Sequence, residues 1–109
     1  MLYHWSPVSK RKSIMRDGLC PHRISNKGNW RSPYTCFCRY PSTAWGLSAN
    51  HNKIKRWDLW CCWTDAVGKY ETINFGGKWW MTEYRVRSRI PKSKVWHVGT
   101  RVFKSARHS

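Results

Sequence analysis

The spacing of apolar and polar positions changes several times along the chain, and each change marks an element. Leu2-Tyr3-His4-Trp5 reads as a short opening strand closed by Ser6-Pro7, because proline brings no N–H to a ladder and serine suits the cap of a helix after it. From Val8 to Asp17 the period lengthens to that of a helix. Ile14 and Met15 form its apolar side, Lys10, Arg11, Lys12 and Arg16 face outward, and Gly18 stands where a helix ends. Leu19 is then expected back on the core. Residues 20–33 have no period and are rich in Pro, Ser, Asn, Gly and Arg, which predicts a loop. A structureless connection of this length in a small domain points to a functional one. Its cations Arg23, Lys27 and Arg31, with Trp30 among them, are expected to border the functional cleft and take part in target recognition.

Tyr34 to Cys38 has strand composition, and Pro41-Ser42 followed by Thr43 to Ser48 reads as a turn and a short helix. Trp57 to Trp63 is a continuous apolar run of strand length. Tyr70 to Phe75 alternates weakly, Gly76-Gly77 turns the chain, and Trp79 to Val86 and Val95 to Val102 are two further strands separated by Ile90-Pro91. The pattern predicts one α+β domain over residues 1–103, with five or six short strands, two early helices and most of the sheet in the C-terminal half. A frayed basic tail is expected over 104–109.

Composition alters this picture through the sign of its charge. Lys and Arg number 21 against 5 Asp and Glu, a formal net charge of +16 over 109 residues. A hydrophobic share of 40% is too large for a disordered basic tail, so the charge belongs to a folded domain. It implies an acidic partner, of which nucleic acid is the commonest, although an acidic protein surface would serve equally well. No apolar run is long enough to span a membrane and the N-terminus lacks the apolar region of a signal peptide, so a soluble, cytoplasmic protein is expected. Five cysteines, two of them adjacent at Cys61-Cys62, fit reduced thiols better than a disulfide framework. Cys20-x-His22 and Cys36-x-Cys38 are too tightly spaced for structural zinc, so no metal is expected. Nine tryptophans are both core material and stacking platforms for bases, and burial tendency assigns most of them to the core.

Three patches taken in order carry the candidate chemistry: Tyr3-His4-Trp5-Ser6, the strand Tyr34 to Cys38 with Ala44-Trp45 after it, and Thr82-Glu83-Tyr84-Arg85-Val86. Together they resemble the ADP-ribosyltransferase-like family, the small phage-encoded type above all. Family members open with Y-H-x-S/T. They continue with a helix ending in I-x-x-x-G-L-x-P, matched by Ile14, Gly18, Leu19 and Pro21, and close with E-Y-R-V, I-P and a valine-rich strand, matched by Glu83, Ile90, Pro91 and Val95. The resemblance implies a split antiparallel sheet with one or two short helices, NAD as cofactor and transfer of ADP-ribose, and the +16 charge would bring that activity to an acidic macromolecule, DNA or RNA first.

It also assigns residues. Glu83 becomes the catalytic carboxylate that stabilises the oxocarbenium-like state formed when the nicotinamide–ribose bond breaks. His4 holds a ribose hydroxyl, the backbone of Trp5 meets the nicotinamide amide, and Ser6 fills the S/T position. Three departures stand beside these matches. Trp5 replaces a usual glycine, so its side chain must point out of the pocket. Cys36 occupies the position of the stacking tyrosine, so Tyr34 or Phe37 supplies that ring or the stacking is lost. Met81 stands where arginine-modifying members carry Gln or Glu, which leaves the target open. Arg39, just past the middle strand, is a candidate phosphate contact. The rival expectation is a non-catalytic basic module that binds nucleic acid or an acidic host protein.

Overall fold

The computed structural model describes residues 1–21, 34–47 and 55–102. Within them the chain runs β1 (Leu2–Pro7), a 3-10 turn (Val8–Lys10), α1 (Arg11–Asp17), β2 (Thr35–Cys38), α2 (Pro41–Leu47) and β3 (Arg56–Cys62). A second 3-10 turn (Thr64–Val67), β4 (Glu71–Asn74), a third (Trp79–Met81), β5 (Thr82–Val86), a fourth (Lys92–Lys94) and β6 (Trp96–Val102) complete it. The six strands form one antiparallel sheet in the order β4-β5-β2-β1-β3-β6, so the α+β expectation holds. No described helix is long and apolar enough to cross a membrane.

The pairing of β1 decides the layout of the sheet. It meets β3 along its whole length, from Leu2↔Cys62 to Pro7↔Trp57, but meets β2 only at Tyr3↔Cys38. The sheet is therefore two three-stranded halves, β4-β5-β2 and β1-β3-β6, joined at one residue pair. Leu2, Phe37, Trp60, Cys62, Tyr84 and Val86 line one sheet face and pack with Ile14, Leu19, Val67 and Ile90 as the core. Gly18 closes this layer. Its φ of 81° is in the left-handed region, and any Cβ there would strike the Ile90 carbonyl. That close approach lets Leu19 and Ile90 exchange backbone hydrogen bonds of 3.0 and 2.9 Å.

Several sequence expectations are corrected. β1 includes Ser6 and Pro7 rather than ending before them, because a proline at the last strand position forfeits only one ladder donor. Ser6 does not cap the helix: no side-chain cap is present at either helical start, and its side chain lies buried on the strand. Arg11 does not face solvent but turns in to Asp58, since a buried acid holds any cation within reach. That pairing fixes the rotation of a helix only seven residues long, leaving Ile14 buried and Met15 62% exposed. The strand expected from Trp79 begins only at Thr82, because Trp79–Met81 form a 3-10 turn. Of the eight described tryptophans only Trp57 and Trp60 are buried, while Trp63, Trp79, Trp80 and Trp96 are exposed. A domain this small has too little interior for so many indoles.

Candidate active site at the parting of the sheet

Beyond Tyr3↔Cys38 the β1 backbone no longer pairs with β2, and the His4 side chain bridges the gap. A carbonyl can only accept, so Nδ1 carries the proton and donates to the Cys36 carbonyl at 2.7 Å. The imidazole lies 5.6 Å from the Phe37 ring. A cavity of about 290 Å³ opens beside it, lined by His4 and Ser6 of β1, Lys10 and Ser13 at the helical segment, and Tyr34 and Thr35 where β2 begins. Arg85 and Arg87 stand against Tyr34, their guanidinium carbons 4.6 and 5.8 Å from its ring centre. Residues far apart in sequence thus converge on one concavity, because β1 and β2 part there.

Glu83 lies on β5, an interior strand, opposite Cys38 of β2 and Ile73 of β4. It is buried, with Arg85 Nε 3.7 Å from its carboxylate, and that nitrogen has no hydrogen-bond partner among the described residues. Burial pushes the Cys36 thiol well above its ordinary pKa, and a hydrogen bond with Glu83 pushes it further. Burial and then Glu83 raise Cys38 to about 11. Both thiols are protonated at neutral pH and are poor nucleophiles.

Strand register places Glu83 on the face of Cys36 and Cys38, whereas His4 lies with Phe37 on the other face. The two residues thus approach Cys36 from opposite sides, His4 at its carbonyl and Glu83 at its thiol. Glu83 does not line the cavity.

Trp5 points away from the cavity: its indole N–H donates to the Pro41 carbonyl at 2.9 Å and its ring meets Trp45 edge-on at 5.0 Å. Trp5 does not line the cavity, and on β1 it stands opposite Leu59 of β3. Phe37 is 1% exposed and belongs to the core, so of the two candidate stacking rings only Tyr34 lies on the cavity. Arg39 donates to the Tyr84 hydroxyl at 2.8 Å. The loop cations Arg23, Lys27 and Arg31, with Trp30, His22 and the 104–109 tail, lie outside the described residues. All five cysteines are free thiols, and no group of three His, Cys, Asp or Glu among the described residues could hold a metal ion.

Sequence reasoning missed Asp58. Fully buried on β3, it accepts from Arg11 Nε (2.8 Å) and a terminal Arg11 nitrogen (2.7 Å), from the Thr100 hydroxyl (2.7 Å) and from His97 Nε2 (2.9 Å). Burial acts to raise its pKa. The bonds from Arg11, Thr100 and His97 overcome this and hold the carboxyl down at about 2. One signal was present: a lone acid inside the apolar run Trp57 to Trp63 must be buried, and a buried carboxylate requires a cation. In comparisons with known proteins, no family model, curated protein or solved structure matches this chain.

Proposed function

We propose that the chain is an NAD-dependent ADP-ribosyltransferase of the small, phage-encoded type, acting on nucleic acid. One observation carries the reading: His4 and Ser6, which the family resemblance assigns to NAD, line the same cavity as Tyr34, one of the two rings that could replace the missing stacking tyrosine. The near-division of the sheet at Tyr3↔Cys38 also agrees with the split sheet which that resemblance implies. The cavity is at the small end of ligand sites and suits the nicotinamide riboside portion rather than the whole dinucleotide. Ser6 and Ser13 offer hydroxyls for the ribose, Tyr34 offers a ring for the nicotinamide, and Lys10 offers a charge for the phosphates. NAD supplies the activated glycosidic bond. Against it, His4 would orient a ribose hydroxyl, and Glu83 would oppose the positive charge that grows on the ribose as the bond to nicotinamide breaks. Glu83 lies outside the cavity and on the sheet face opposite His4, a separation that counts against its acting on a ribose held there. The net charge of +16 would draw the acceptor to the site.

The rival reading, a non-catalytic basic module, rests on an observation of its own: Glu83 is buried beside Arg85 and outside the cavity lining. One experiment separates the two. Labelled NAD is incubated with the protein and with DNA, RNA or protein acceptors, and both nicotinamide release and label transfer are followed. Release stimulated by a nucleic acid, with label on that acceptor, is the expected result. No release with any acceptor would overturn the enzyme reading in favour of the binding module.

A further inference from the structure

The β4-β5-β2 half of the sheet exposes a run of rings that the candidate cavity does not use. Tyr40, Trp79 and Trp80 are 41%, 64% and 42% exposed and follow one another by ring contacts, and Tyr70, 44% exposed, adjoins the core ring of Tyr84. The Tyr70 ring lies 5.3 Å from Tyr84, and the guanidinium carbon of Arg39 lies 5.7 Å from the centre of that second ring. The next residue, Tyr40, meets Trp79 at 5.8 Å. Trp79 meets Trp80 at 5.6 Å, and the Lys78 ammonium lies 5.3 Å from the Trp80 ring centre. The turn presenting the tryptophans is braced, with Asn74 Nδ2 donating to the Lys78 carbonyl at 2.6 Å and the Thr82 hydroxyl donating to the Trp79 carbonyl at 3.0 Å. The rings therefore stand on a hydrogen-bonded turn.

Contiguous exposed aromatic surface marks an interaction site. Here Arg39 and Lys78 stand beside the rings, and among the described residues no acidic side chain is in ring contact with Tyr40, Trp79 or Trp80. Aromatic faces take stacked bases and cations take the intervening phosphates, whereas a duplex keeps its base faces hidden. The exposed side chains of the track are rings and cations without aliphatics, a composition that stacks on a ligand more readily than it inserts among acyl chains.

We propose that this track binds single-stranded nucleic acid, with unpaired bases on Tyr40, Trp79 and Trp80 and backbone phosphates at Arg39 and Lys78. The proposal rests on the nucleic-acid part of the proposed function and not on its NAD chemistry. The test measures fluorescence anisotropy of a labelled oligothymidine, and of a duplex of equal length, with wild type, Trp79→Ala, Trp80→Ala and Trp79→Phe at physiological salt. Thermal melts check that each variant folds. Wild type should prefer the single strand, each alanine should weaken that binding about tenfold with duplex binding unchanged, and Trp79→Phe should retain most of it. Equal loss on both substrates, or no preference for the single strand, would overturn the track. So would capture by phosphatidylserine vesicles that the alanine variants abolish while oligonucleotide binding persists. No oligonucleotide binding by wild type would remove both the track and nucleic acid as acceptor. Nicotinamide release, measured separately, reports on the NAD site in every case.

Discussion

Each half of the sheet buries one acid, and the two are treated differently. In the β1-β3-β6 half, Asp58 has its oxygens occupied by an Arg11 fork, a threonine hydroxyl and a histidine. In the β4-β5-β2 half, Glu83 has one cation at 3.7 Å, beyond hydrogen-bond length, and a protonated thiol beside it. Asp58 ties α1 and β6 to β3, a structural task that consumes its hydrogen-bonding capacity. Among the described residues Glu83 ties no second element in this way: its contacts are the Cys36 thiol and the more distant Arg85.

This contrast can be broken most directly by removing each acid. Asp58→Ala leaves Arg11 and His97 around an uncompensated site and should destabilise the fold by roughly 3–5 kcal/mol, whereas Glu83→Gln should cost about 1 kcal/mol or less. Chemical denaturation of the two variants measures both, and equal losses would erase the distinction. The reciprocal effect appears in activity: Glu83→Gln should lower nicotinamide release by about 10²–10³ while the protein stays folded. Equally fast release would remove Glu83 from the chemistry.

Acid titration sharpens the comparison. The folded-state pKa of Asp58, about 2, lies below its ordinary 3.8, so as pH falls the unfolded chain takes up the proton first and stability declines. About 2 kcal/mol should be present above pH 5 and lost progressively towards about pH 2, and Asp58→Asn should flatten that part of the curve. The smallest effect concerns the thiols. Cys20 is exposed, whereas Cys36, Cys38, Cys61 and Cys62 are at least partly buried with raised pKa values. A thiol reagent at mildly alkaline pH should modify Cys20 rapidly in the native protein and the others slowly, and Glu83→Gln should modestly hasten Cys36. Fast modification of Cys36 in the wild type would contradict its pairing with Glu83.

The elements were largely legible because their signals are local. Gly18 as the helix stop, Tyr34 to Cys38 as a strand and Gly76-Gly77 as a turn depend on backbone preferences that each short segment carries with it. The strands around Glu83 and His4 were likewise readable, and so was their type. What each side chain meets was not. Arg11 and Asp58 are 47 positions apart, and no spacing rule connects them.

Sequence alone determined a basic α+β domain with reduced cysteines, a strand carrying His4 and Ser6, and another carrying Glu83, because composition, periodicity and turn chemistry act within a few residues. Tertiary structure decided the rest. It parted β1 from β2 and so brought Tyr34 to His4. It sent Phe37 into the core, turned Arg11 inward, and left Trp79 and Trp80 on the surface. The physical reason is that burial and pairing are competitions among all side chains for limited interior and few acids, and their outcome depends on the whole arrangement rather than on any one segment.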